Sequence, residues 1–371
     1  MAGFPFRALR RSAVSPLPPE TEAAEKRSGN SLERVPARSA VAAEPWAADR
    51  SKLRVGPKIA SGANSRVYRG DYAGQAVAVK MMRETAADGD LRQRREVGVG
   101  AQFDAEVTLL WRLRHPNVVR LVAACREPPS YCVVTELMAG GALGAYLRGR
   151  EPNSLPPEDV VRLALGVARG MECLHARGVV HRDLKPQNLL LDGGARVVKV
   201  ADLGTSCLEA TCRADRRPSR TGTYRWMAPE MIRDHRCDRK VDVYSFGLVL
   251  WELTTCLVPF QDLSPVQAAY AVTNAGARPP LSPSCPPAIN TLIERCWSAK
   301  PEKRPEFKDI VQVLESYDRC LREGLPLLPL PLPLPLPAPA PLASLIGAFK
   351  IRSCRHTDLE QERDASIQSR S

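Results

Sequence analysis

Short apolar runs punctuated by glycine open the patterned part of the chain. Over residues 55–80, apolar and polar positions alternate around Gly62, Gly70 and Gly74, the two-residue period of strands joined by turns. The pattern predicts a hairpin-rich sheet. Residues 83–101 are charged and include Gly89, Gly98 and Gly100, so they read as a loop inserted before a helix. A helical pattern follows over residues 103–114 and stops just before His115-Pro116-Asn117. After an apolar run at residues 131–134, helical periods dominate. Over residues 158–177, Val161, Ala164, Leu165, Ala168, Met171 and Leu174 share one 3.6-residue face. Residues 241–255 are apolar all round, which predicts a fully buried helix. Its carboxylate, Asp242, must then be hydrogen-bonded. Strands first and helices after predict an α+β chain.

The two ends read differently. Residues 1–50 are rich in Ala, Pro, Ser, Arg and Glu and lack apolar periodicity, the pattern of a disordered extension. Residues 325–342 form nearly a Leu-Pro repeat, inside a disordered tail over residues 322–371. The repeat is apolar enough to suggest a membrane span. Prolines at alternate positions remove backbone donors and forbid a regular helix, so no transmembrane segment is expected there. Polyproline II is the expected state, a stiff spacer first and only a weak proline-rich ligand for SH3-like or WW-like grooves.

Composition narrows the picture. With 44% hydrophobic residues in 371, the middle of the chain can bury a sizeable core. The 53 Lys and Arg exceed the 41 Asp and Glu by 12 charges, which raises nucleic acid or anionic membrane as partners. The charges are dispersed, and no basic helix with interleaved aromatics stands out, so nucleic acid is not expected. The 11 cysteines are scattered, form no Cys-x-x-Cys pair, and Cys207 to Cys212 is the wrong spacing for a zinc knuckle. No secretory signal precedes them, so free thiols in a reducing cytoplasm are expected, with peripheral contact at the plasma membrane left open.

The chemistry lies in a series of motifs in a fixed order. His181-Arg182-Asp183-Leu184-Lys185-Pro186-Gln187-Asn188 is followed by Asp202-Leu203-Gly204 and then by Ala228-Pro229-Glu230. Upstream stand Val77-Ala78-Val79-Lys80 and a glycine-containing loop at residues 60–67. Each alone is a weak match; in this order, with compatible gaps, they are hard to obtain by chance. From about residue 51 to 321 the chain resembles the eukaryotic protein kinases. The resemblance implies a bilobal fold, with an N-lobe of one small antiparallel sheet and one main helix at about 51–137. A larger helical C-lobe would occupy about 138–321.

It also implies ATP and Mg2+ as cofactors and protein hydroxyls as substrates. Phosphoryl transfer needs positioning and charge neutralisation more than covalent chemistry. Asp183 would orient the substrate hydroxyl or accept its proton, and Lys185 would neutralise the transferred phosphate. Asn188 and Asp202 would hold magnesium, a hard ion that prefers oxygen. Lys80 ends an apolar strand and would reach the α and β phosphates, paired to a Glu on the next helix. Glu106 fits; Glu84 and Glu96 compete but fall in the charged loop. Thr135, as gatekeeper, with Glu136 and Met138 would form the hinge against adenine, and Ala78 would face the same nucleotide. In the C-lobe, Asp242 would accept backbone donors of the catalytic loop and Glu230 would pair with Arg304.

The phosphate loop departs from the family pattern. Ala60, Ser61, Gly62, Ala63, Asn64, Ser65 and Val67 would cover the phosphates, yet of the three expected glycines at 60, 62 and 65 only Gly62 is present. The loop should be stiffer and hold ATP less tightly. That favours a pseudokinase or scaffold as the alternative; the charged positions, all present, favour an enzyme.

Lys185 and Gly222-Thr223 resemble serine/threonine kinases, while Tyr224-Arg225-Trp226-Met227 resembles the tyrosine-kinase form of the same loop. That mixture is similar to the tyrosine-kinase-like group. Residues 201–208, 222–231 and 265–272 are closer still to the plant Raf-like MAP kinase kinase kinases, within which the likeness is to a type associated with guard cells and carbon dioxide signalling. Upstream regulatory kinases are then expected partners. Arg182 could pair with a phosphate on the activation segment, with Ser219 and Thr221 as candidates and Ser206 and Thr211 behind them. Arg213, Arg216, Arg217 and Arg220 make that segment basic.

Overall fold

A computed structural model of the chain describes residues 44–62, 65–83, 90–127, 130–212, 224–233 and 237–330. The alternating stretch forms β1 (Leu53–Ser61), β2 (Ser65–Tyr72) and β3 (Gln75–Arg83), followed by α1 (Asp90–Arg112) and by β4 (Leu121–Glu127) and β5 (Ser130–Glu136). These strands make one antiparallel sheet in the order β1-β2-β3-β5-β4. The β2–β3 hairpin shows how local chemistry sets register. Ala73 and Gly74 both have positive φ, 52° and 84°, in a two-residue turn that pairs Tyr72 with Gln75. Asp71 accepts the Gly74 N–H at 3.0 Å.

The helix boundary differs from the expectation. Residues 83–101 were expected to be a loop, but α1 begins at Asp90, so Gly98 and Gly100 lie inside a helix. Gly100 serves packing, whereas a Cβ at Gly98 would meet nothing within 4 Å. A Cβ at Gly100 would stand 3.2 Å from the Tyr131 hydroxyl, and beyond it Phe103 is buried against Tyr131, ring centroids 5.3 Å apart. Tertiary contact here outweighs the weak helix propensity of glycine.

The C-lobe begins with β6 (Gly141–Ala142), α2 (Leu143–Arg148) and α3 (Pro157–His175). Short strands follow as β7 (Val179–Val180), β8 (Leu189–Leu191), β9 (Val198–Val200) and β10 (Cys207–Leu208). Then come α4 (Glu209–Cys212), α5 (Pro229–Arg233), α6 (Lys240–Thr255), α7 (Pro265–Asn274), α8 (Pro287–Cys296) and α9 (Phe307–Arg322). Val161, Ala164, Ala168, Met171 and Leu174 of α3 are all buried, as their spacing required. In α6 every residue from Val241 to Thr255 is buried.

One apolar core runs from Met82, Phe103 and Tyr131 in the small lobe to Leu163, Leu250 and Leu314 in the large one. Val77, Val79, Ala123, Cys125, Cys132 and Val134 form a second cluster. Alternation along β3 therefore puts Val77 and Val79 in the second cluster and leaves Ala78, Lys80 and Met82 on the opposite side.

Packing also starts before residue 51. Trp46 meets Phe103 edge-on, and Ala48 N–H donates to Ala124 O at 2.8 Å. At the other end Leu327 and Leu330 pack against the core. Most of the Leu-Pro repeat, like most of residues 1–50, lies outside the described residues. Among those described, no helix is long and apolar enough to cross a membrane.

Candidate active site

The strand β3 delivers Lys80 to the inner side of the sheet, and α1 lays Glu106 against it. The Lys80 ammonium lies 2.8 Å from both Glu106 carboxylate oxygens and 2.6 Å from Asp202 Oδ1. Glu106 is 2% exposed, so this charge is neutralised where water cannot do it. Burial would lower the Lys80 pKa, but the carboxylates of Asp202 and Glu106 outweigh it and hold the ammonium above its ordinary range. One lysine thus ties the small lobe to the loop after β9.

That loop is tightly fitted. Asp202 adopts left-handed backbone geometry, φ 61°, and Leu203 is completely buried. Leucine fills the apolar slot that phenylalanine fills in the family pattern. Gly204 follows in a tight place: a Cβ there would lie 3.1 Å from Glu106 Oε2, which Lys80 holds, and 2.7 Å from Gln102 Nε2, the movable end of its side chain.

Across the cleft, the segment between β7 and β8 holds Asp183, Lys185 and Asn188. Lys185 Nζ is 2.9 Å from both Asp183 carboxylate oxygens. Asn188 Nδ2 donates to Asp183 O at 2.8 Å and to its Oδ2 at 3.1 Å. The amide nitrogen is committed there, which leaves the amide oxygen as a hard ligand atom.

The buried helix α6 anchors this loop. Asp242 accepts the backbone N–H groups of His181 and Arg182, each at 2.8 Å, and meets His175 Nε2 at 2.9 Å. Burial alone would raise its pKa; the His175 hydrogen bond, with the backbone N–H of His181, keeps it below the ordinary carboxylate value. His181 is oriented as well, since its Nδ1 accepts Asp183 N–H at 3.2 Å and its Nε2 donates to Ala201 O at 3.1 Å. Arg304, fully buried, makes a two-pronged pair with Glu230 at 2.6 and 2.9 Å. Both structural pairings expected from the sequence are present.

The remaining expected positions are distributed as follows. Ala78 pairs with Thr135 across β3 and β5. The Glu136 carboxylate is occupied by Arg120 N–H and Lys199 Nζ, each at 2.8 Å, so only its backbone can face a nucleotide. Met138 is buried beside Val119 and Ala201, with Leu190 packed against them. Leu190, which was not singled out from the sequence, therefore sits beside the expected hinge residue Met138. Its neighbours Leu189 and Leu191 are fully buried in the core, and strand alternation turns Leu190 to the other side. Three consecutive leucines hide that alternation.

Ala60 pairs with Val67 across β1 and β2, and Gly62 N–H donates to Ser65 O at 2.8 Å. Ala63 and Asn64 lie outside the described residues, as do Glu84, Arg213, Arg216, Arg217, Ser219, Arg220 and Thr221. Glu96 lies in α1, ten residues before Glu106, not in a loop. Ser206 is only 2% exposed, so as it stands no kinase could reach it, whereas Thr211 is exposed. Arg182 Nε donates to Thr205 O at 2.7 Å.

A two-lobed fold with a lysine–glutamate pair facing an Asp–Lys–Asn loop defines a protein kinase. Residues 53–314 match the family of protein tyrosine and serine/threonine kinases, and the chain belongs to it. It is 58% identical over 284 residues to the serine/threonine/tyrosine-protein kinase HT1 of Arabidopsis thaliana, covering 76% of this chain and 71% of that one. It is 38% identical to the Arabidopsis serine/threonine-protein kinase STY46 (73% of this chain, 45% of that one). To the human mitogen-activated protein kinase kinase kinase 11 it is 37% identical, over 74% of this chain and 32% of that protein. These relatives bear out the Raf-like resemblance read from residues 201–208, 222–231 and 265–272, and the chain is a protein kinase.

Proposed function

We propose that this chain transfers the γ-phosphate of ATP to protein hydroxyls in a plant Raf-like signalling pathway, with Asp183 as the group that meets the substrate hydroxyl. The carrying observation is Lys80 bridging Glu106 and Asp202 while Lys185 and Asn188 converge on Asp183. The donor set suits magnesium: the Asp202 carboxylate and the Asn188 amide oxygen are hard oxygen ligands. Magnesium held there would neutralise phosphate charge during transfer.

The chain's own residues do the rest. Lys80, already positively charged and fixed by Glu106, orients the α and β phosphates. Asp183, held by Asn188 and by the His181 turn, orients the incoming hydroxyl and takes up its proton. Lys185 sits where it can stabilise charge on the transferred group. Thr135 and the backbone of Glu136 and Met138 border the adenine, with Ala78 above it and Leu190 below. The loop that includes Ala60, Ser61, Gly62, Ser65 and Val67 would cover the phosphates, and the serine at 65 would make that cover less pliable than a triple-glycine loop.

Serine and threonine are the proposed acceptors, although the name of the Arabidopsis relative HT1 also includes tyrosine. Phosphoamino-acid analysis of an acceptor protein labelled by this kinase tests that choice; phosphotyrosine as the main product would overturn it. The resemblance further supports work in the cytoplasm, with contact at the plasma membrane, upstream regulatory kinases, and a guard-cell response to carbon dioxide. Expression in an Arabidopsis line lacking HT1, with stomatal conductance followed as carbon dioxide changes, tests the last point. Failure of a catalytically active chain to restore the response would remove it.

A further inference from the structure

Three sulfurs converge beside the catalytic loop. Cys207 in β10, Cys212 at the end of α4 and Cys237 just before α6 are buried, and their Sγ atoms all lie within 4.8 Å of one another. The residues are 30 positions apart at the extremes, so no local sequence motif brings them together. Among the described residues, this is the one group of three or more metal-ligating side chains so assembled.

We infer that Cys207, Cys212 and Cys237 form a trithiolate site for a soft d10 divalent cation of the zinc class, which clamps the start of the activation segment to the C-lobe. Thiolates at about 2.3 Å from such an ion stand about 3.8 Å from one another, so the cluster needs only a small contraction to close on it. Soft sulfur ligands select this class of ion over magnesium. Three thiolates around a divalent cation leave one negative charge, and the ion would have to displace the thiol protons to bind, so binding would weaken as pH falls.

The location gives the site a consequence. Cys207 pairs with Val180, the residue immediately before His181-Arg182-Asp183. Cys237 lies five residues before Asp242, which holds the backbone of His181 and Arg182. The same two ends of the segment are already joined by Arg239 and Glu209, with Arg239 Nε 2.9 Å from Glu209 Oε1. An ion here would add a covalent-strength tie to that salt bridge, and its release would loosen the entry to the activation segment.

The test is cadmium titration of the full chain under anaerobic, reducing conditions, followed by the thiolate-to-metal charge-transfer band. X-ray absorption of the zinc-loaded wild type gives the sulfur count. These readouts do not depend on phosphate transfer. One equivalent of metal with three sulfur ligands is expected, with the band lost in Cys212→Ser and Cys237→Ser and kept in Cys285→Ser. Should the serine variants fail to fold, the sulfur count on wild type decides. No band, fewer than three sulfurs, or a disulfide between two of these cysteines in place of metal binding would overturn the inference.

Discussion

Glu252 is a carboxyl group whose ionisation works against the fold. It lies on α6, 4% exposed, and accepts the indole N–H of Trp226, the residue two before Ala228-Pro229-Glu230. Burial pushes its pKa from the ordinary 4.5 up to about 8; the Trp226 hydrogen bond and the charge of Arg148 offset this only in part. The folded protein therefore keeps a proton that the unfolded chain releases near pH 4.5. Stability from this group is complete below pH 4.5 and is lost as pH rises through about 8. At about 1.4 kcal/mol per pH unit, that interval bounds the loss at roughly 5 kcal/mol. Relaxation around the ionised carboxylate reduces the expected value to about 2 kcal/mol, or roughly 4–8 °C in Tm for a domain of this size. Glu252→Gln keeps an acceptor for Trp226 and removes the titration. Thermal melts of both proteins from about pH 5 to about pH 9 isolate this group, because other titrations cancel in the difference. Wild type should fall several degrees further than Glu252→Gln across that range. Parallel curves would refute the burial argument.

Other residues give sharper functional contrasts. Arg304→Ala leaves Glu230 without its two-pronged partner and removes a fully buried cation; it should cost about 3–5 kcal/mol in denaturant unfolding. Glu106→Gln should lower kcat/KM by up to about a hundredfold and also lower Tm, since the buried Lys80 ammonium would lose one of its two carboxylate partners and with it its orientation. Gly204→Ala places a methyl group 3.1 Å from Glu106 Oε2 and should depress kcat by up to about tenfold by displacing the carboxylate that holds Lys80.

Much of this site could be read from residue order because its chemistry resides in short motifs. Lys80 in its apolar strand and Asp242 on an all-apolar helix each had to find a partner, while the pairing of Glu230 with Arg304 followed from the kinase resemblance. What escaped notice depends on tertiary context. The first turns of α1 read as a loop in the sequence because Gly98 and Gly100 weaken helix propensity, and only the close approach of Tyr131 accounts for Gly100. Leu190 was hidden in an unbroken leucine run. Glu252 reads as an ordinary polar interruption of α6 until its burial against Trp226 is known. The cysteine cluster could not be seen because Cys237 is far from Cys207 and Cys212 along the chain.

Asp183 carries the central claim, and radiolabelled phosphate transfer tests it most directly. Wild type and Asp183→Asn would be incubated with magnesium-ATP, an acceptor protein and, in parallel, a pre-phosphorylating upstream kinase. Transfer by wild type that falls by about 10²–10⁴-fold in Asp183→Asn, with Tm and nucleotide binding retained, is the predicted result. Undiminished transfer by Asp183→Asn, or nucleotide binding without any transfer by the activated wild type, would contradict the account.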